Sequence, residues 1–66
     1  MKLKIILMAT WWNYYNDYLT AQKFGDAHGL SPAYAKHLAD KGKTLWNRAT
    51  VNEREQAIDY AKKVLK

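Results

Sequence analysis

Residues 19–42, LTAQKFGDAHGLSPAYAKHLADKG, constrain the fold more than any other stretch of this 66-residue chain. They predict two short helices joined by a tight turn. Thr20 caps the first, because its side-chain oxygen accepts from a backbone N–H that has no partner inside the helix. Gly29 stands where that helix should stop and takes the left-handed conformation at little cost. Ser31 offers a second N-cap, and Pro32 follows at the first helical position, where its missing N–H is no loss. Gly42 is placed to end the second helix as Gly29 ends the first. Phe24, Gly25, Leu30, Ala35 and Leu38 face inward if the two helices cross steeply, with Gly25 small where two backbones approach.

That spacing is the pattern of a helix-turn-helix, whose second helix enters the DNA major groove. Ordinary helical hairpins also use a Gly-Leu-Ser turn. Tyr18-Leu19-Thr20, Gly29-Leu30-Ser31, Leu38 and Gly42-Lys43 together resemble the helix-turn-helix of the MerR and phage excisionase group. Those domains often begin with a Tyr-Leu-Thr-like segment, turn at Gly-Val-Ser or Gly-Leu-Ser, and leave the second helix through Gly-Lys. The resemblance spans residues 18–43 and implies a DNA-binding module. It departs from the group's pattern in having Gly25 or Ala27 where an alanine is usual, depending on alignment, and in showing no clear β-wing after Lys43.

A chain this short is read as one domain, residues 1–66, and buries only about 60% of the surface its unfolded form exposes. It has no cysteine, so stability must come from packing or from a partner subunit. With 48% apolar and 26% charged residues, the composition is that of a globular chain rather than a disordered one. The net charge is +5 and is unevenly placed: the first 33 residues carry three lysines against two aspartates, the remainder eight bases against four acids. A basic half suits a polyanionic partner, although it also serves solubility alone.

The opening residues, MKLKIILMA, look like the start of a signal peptide. The apolar run from Ile5 to Ala9 is shorter than the roughly 7–15 residues such a peptide needs, and two tryptophans come soon after. No stretch approaches the roughly 20 apolar residues of a membrane span, so a cytoplasmic location is expected. Lys2, Leu3, Lys4 and Ile5 alternate as a strand does, whereas Ile6, Leu7 and Met8 break the alternation. Residues 2–8 are therefore either a short N-terminal strand or the start of a helix that runs on through the tryptophans. From Thr10 to Tyr18 the spacing is helical. Met8, Trp12, Tyr15 and Leu19 line one face, Leu7, Trp11, Tyr14 and Tyr18 the next, and Asn13, Asn16 and Asp17 the rest. Platforms that stack on nucleic-acid bases usually interleave basic residues, and none lies between Lys4 and Lys23. The aromatic segment is thus expected to be core, or core plus a homodimer face, with a base-stacking platform as the lesser alternative.

In the first helix of the turn motif, Phe24 and Ala27 are expected to point inward, and His28 to sit in the last turn as a surface residue. In the second, residues 32–41, Ala35, Leu38 and Ala39 face the core. Ala33, Lys36, His37 and Asp40 project outward, with Tyr34 on the border. Lys36 and His37 suit guanine acceptors or phosphate, and Tyr34 suits phosphate or a thymine methyl. Ala33 at the helix start permits close approach, beside the cap residue Ser31. Asp40 would be repelled by phosphate. Gly42–Thr50 reads as a connector in which Leu45 and Trp46 anchor to the core while Lys43 and Arg48 contact phosphate, as does Lys41 at the end of the preceding helix. Asn52–Leu65 is a helix with Ile58, Ala61 and Leu65 buried and Ala57 and Val64 beside them. It starts with a capping box, from Asn52 to Glu55 or from Thr50 to Glu53.

No glycine-rich phosphate loop, zinc-ligand spacing or nucleophile elbow is present, and a chain of this length has little room for a pocket of about 300 Å3 or more. The expectation is a non-enzyme without cofactor or metal. It is a mainly α domain of three to four helices that binds double-stranded DNA sequence-specifically, as a transcriptional regulator or recombination accessory factor. Its DNA-binding residues are Ser31, Ala33, Tyr34, Lys36, His37, Lys41, Lys43 and Arg48. Specificity would require a dimer on two half-sites about one DNA turn apart. From another class comes a cationic, Trp-rich, bacteriocin-like protein acting on membranes through Trp11, Trp12 and Trp46. A small inhibitor of another protein, with the Trp-Trp and Tyr-Tyr pairs as hot spots, is a third reading.

Overall fold

The computed structural model describes residues 2–65, and these are helical almost throughout. Four helices occur in order: α1 (Leu3–Asn13), which continues as a wider π-helical turn (Tyr14–Tyr18); α2 (Ala21–His28); α3 (Pro32–Arg48); and α4 (Val51–Tyr60), which continues as a second π-turn (Ala61–Leu65). Helix α1 is the central element. It packs against α3 and α4, while α2 packs on α3 and the first π-turn. No helix among the described residues is long and apolar enough to cross a membrane.

The N-terminal segment is helix, not strand, from Leu3 onward. The alternation of Lys2 to Ile5 covers four residues and loses to a longer helical pattern: Ile5, Met8, Ala9 and Asn13 are the buried face of α1. Helix therefore starts well before Thr10. Ile5, Met8 and Ala9 meet Ala57 and Ala61 of the fourth helix, and Trp12, Leu45, Trp46 and Tyr60 close around them.

The π-turn changes which residues face inward. Leu19 N–H donates to the Tyr14 carbonyl at 2.8 Å, a five-residue span in place of the usual four. The extra residue in the turn rotates the side chains on its C-terminal side. Tyr14 and Tyr18 both reach the buried Phe24 ring, edge-on at 5.6 and 5.4 Å. Tyr15 and Leu19, expected on the apolar stripe, are instead exposed. Asn13 precedes the turn; expected on the polar arc, it is fully buried on the α1 face it shares with Ile5 and Ala9. Its amide donates to Asp17 Oδ2 at 2.8 Å, while its Oδ1 has no partner among the described residues.

The caps form as the residue types dictate. Lys23 N–H donates to Thr20 Oγ1, and Tyr34 N–H to Ser31 Oγ, each at 3.2 Å. Gly29 adopts φ 70° and closes α2. Leu30 N–H donates back to the Gly25 carbonyl at 2.8 Å. Gly25 is buried, and a Cβ there would lie 2.6 Å from the Leu30 carbonyl oxygen, so the tight return of the chain needs glycine. Ala27 is exposed rather than inward. At α4 the Thr50–Glu53 register wins. Glu53 N–H donates to Thr50 Oγ1, and Thr50 N–H donates to Glu53 Oε1. In this helix Ala57 and Ala61 are buried, whereas Val64 is exposed.

The largest departure is at Gly42. It does not end the second helix: α3 runs on to Arg48, and the connector shrinks to Ala49 and Thr50. The Gly-Lys pair that resembles a helix exit is therefore mid-helix. Gly42 is buried against α1, where a Cβ would overlap the Leu7 carbonyl oxygen and lie 2.7 Å from Trp11 Cβ. Ala35, Ala39 and Gly42 are the buried small residues of α3, and at Gly42 α1 and α3 approach closely.

Candidate nucleic-acid interface

Helix α3 divides into a buried and an open side. Ala35, Ala39 and Gly42 are buried, and Leu38, Leu45 and Trp46 half-buried. Every other residue of the helix is exposed, so Ala33, Tyr34, Lys36, His37, Lys41, Lys43 and Arg48 all lie on the open side. Ser31 is exposed too, but its hydroxyl oxygen accepts the capping bond from Tyr34.

Helical spacing sorts the basic residues into two lines. Lys36 and Lys43 are two turns apart along one edge. His37, Lys41 and Arg48 are separated by one and then two turns along the other. Ala33, Asp40 and Thr44 lie between the lines. Extending the helix to Arg48 puts Lys43 and Arg48 on the same rigid rod as Lys36 and His37, not on a flanking connector. The rod carries four Lys or Arg residues and a single carboxylate.

That carboxylate, Asp40, is occupied. Lys36 Nζ lies 3.3 Å from its Oδ2, one turn away on the open face. An exposed pair of this kind contributes little to stability. Thr44 Oγ1 donates to the Asp40 carbonyl at 3.1 Å. The Tyr34 and His37 rings sit 6.5 Å apart near the start of the helix.

Beside this face is a feature that sequence spacing did not reveal and that exceeds the room expected of so short a chain. A groove of about 480 Å3 lies between the aromatic end of α1 and the middle of α3. Trp11, Tyr15 and Trp46 line it with Asp40, Lys43 and Asn47. Trp11 and Tyr15 stack with ring centres 5.4 Å apart and planes 18° from parallel. Trp46 meets Trp11 at 5.3 Å, tilted by 46°. On the far side of Trp46, Arg54 Nε donates to the Trp46 carbonyl at 3.0 Å, and its guanidinium sits 5.4 Å from the ring centre.

No family model, curated protein or solved structure matches this chain. Its function must therefore be read from its own residues and their geometry.

Proposed function

We propose that this protein binds double-stranded DNA sequence-specifically through the open face of α3, as a transcriptional regulator or a recombination accessory factor. One observation carries the reading: Lys36, His37, Lys41, Lys43 and Arg48 are exposed together on one helix whose opposite side is buried. A rod of this length, roughly 25 Å at 1.5 Å per residue, exceeds the width of the major groove. Its first turns would reach base edges while Lys43 and Arg48 stay near the phosphates. Asp40, which would repel phosphate, pairs with Lys36 in the free protein, and Lys36 leaves that partner to contact DNA. A homodimer would supply the second half-site.

Membrane action draws less support. Trp11, Trp12 and Trp46 are half-buried. Trp11 and Trp46 pack on each other, and Trp12 packs on the core. None of the three is presented as a lipid anchor.

Electrophoretic retardation of genomic fragments across a salt series tests the proposal. Log affinity should fall linearly with log salt, by about 0.9 per phosphate neutralised. The double variant Lys36→Ala, His37→Ala should lose the specific shift with unchanged circular dichroism. Retained specific binding would remove this face from the interface. Leakage of anionic vesicles without DNA retardation would favour the membrane reading.

A further inference from the structure

We propose that the groove between Trp11, Tyr15 and Trp46 receives one unpaired base of single-stranded nucleic acid, with Lys43 neutralising the adjoining phosphate. The choice of ligand rests on the nucleic-acid reading above. Lys36 and His37 do not line the groove, although Lys36 pairs with its Asp40 and Lys43 also belongs to the α3 face; Tyr15 lies outside that face and separates the two sites.

A base-stacking site needs an accessible aromatic face, a cation near the backbone and room for a planar ring. The groove supplies all three. Tyr15 stacks one face on Trp11 yet remains 57% exposed, so its ring is available to a second partner. Trp46, tilted against Trp11, lines the same groove. The volume of about 480 Å3 falls in the range of roughly 300–1,000 Å3 seen for small-ligand sites.

Charge decides the class of ligand. The two charged groups in the groove are Asp40 and Lys43. Asp40 is paired with Lys36, whereas Lys43 has no ion-pair partner among the described residues. The groove therefore favours an anion beside its aromatic wall. A quaternary ammonium, which would use the same rings through cation–π attraction, would meet the uncompensated Lys43. Asn47 offers amide donors and an acceptor toward a base edge.

The lack of basic residues between Lys4 and Lys23 argues against stacking only while the aromatic segment is viewed along the chain. In the fold, α3 brings Lys43 and Asn47 to it.

Titration of the intact protein with a short oligothymidylate, read by tryptophan fluorescence, tests the proposal. Binding should quench Trp11 and Trp46. Tyr15→Ala, at an exposed position, should weaken oligothymidylate binding about tenfold and leave duplex affinity unchanged. Tyr15→Phe, which keeps the ring, should bind as the parent does. Absence of quenching, equal binding by Tyr15→Ala, or quenching by tetramethylammonium instead would overturn it. If duplex retardation persists while oligothymidylate fails to bind, the groove assignment alone falls. If Lys36→Ala, His37→Ala leaves duplex binding intact, the fault lies with the α3 face instead.

Discussion

Leu19 carries the one left-handed backbone outside glycine among the described residues, with φ 66° and ψ −18°. It ends the first π-turn in the position that helices commonly give to glycine. Its side chain is 67% exposed, so little packing offsets a conformation that costs a non-glycine residue roughly 1 kcal/mol or more. Leu19→Gly removes the Cβ that causes the strain and adds some freedom to the unfolded chain. The balance predicts a gain of about 0.5–1 kcal/mol, visible as a higher urea midpoint with an unchanged slope. A lower midpoint would mean that the leucine side chain contributes packing in solution.

At the scale of elements, the crossing of α1 and α3 sets the register of the fold. Helix propensity alone favours alanine over glycine inside a helix by about 1 kcal/mol. Gly42 reverses that sign, because the added Cβ would overlap the Leu7 carbonyl and crowd Trp11. Those atoms belong to the backbone and Cβ of a packed helix and do not swing aside. Gly42→Ala should therefore destabilise the protein by roughly 1–3 kcal/mol, measured by thermal or urea unfolding. It should also perturb tryptophan fluorescence, since the crossing positions Trp11 against Trp46. A stabilising Gly42→Ala would mean that the two helices lie farther apart in solution.

Across the whole molecule, α1 is tied to the start of α4 by Lys4 Nζ and Glu53 Oε2, 2.8 Å apart. The Lys4 hydrogen bond, and next the backbone N–H of Thr50, lower the Glu53 pKa from 4.5 to about 2. A carboxyl held below its unfolded value stabilises the fold above that value, and the contribution disappears as pH falls through the folded one. Stability should thus decline as pH drops from about 4.5 toward 2. Glu53→Gln, which keeps an acceptor for the cap, should flatten the decline in melts recorded across that interval. A profile identical to that of the parent would show that other carboxylates govern acid unfolding.

Sequence alone determined the local punctuation at Thr20, Gly29 and Ser31–Pro32; for the α4 capping box it left two registers, and the structure takes Thr50–Glu53. Each cap or turn is fixed by atoms within a few residues of one another. It also determined most of the inner side of the α2–turn–α3 unit, through Phe24, Gly25 and Ala35, and the exposure of Lys36 and His37. Tertiary structure decided the rest. Gly42 reads as a helix stop until α1 lies against it, and the N-terminal segment reads as strand or helix until its apolar face meets Ala57 and Ala61. Asn13 reads as solvated until the α1 face it shares with Ile5 and Ala9 turns inward. The groove needs Trp11 and Tyr15 from one end of the molecule and Lys43, Trp46 and Asn47 from another helix. Periodicity describes one helix at a time, whereas close approach and shared walls arise only when distant segments meet.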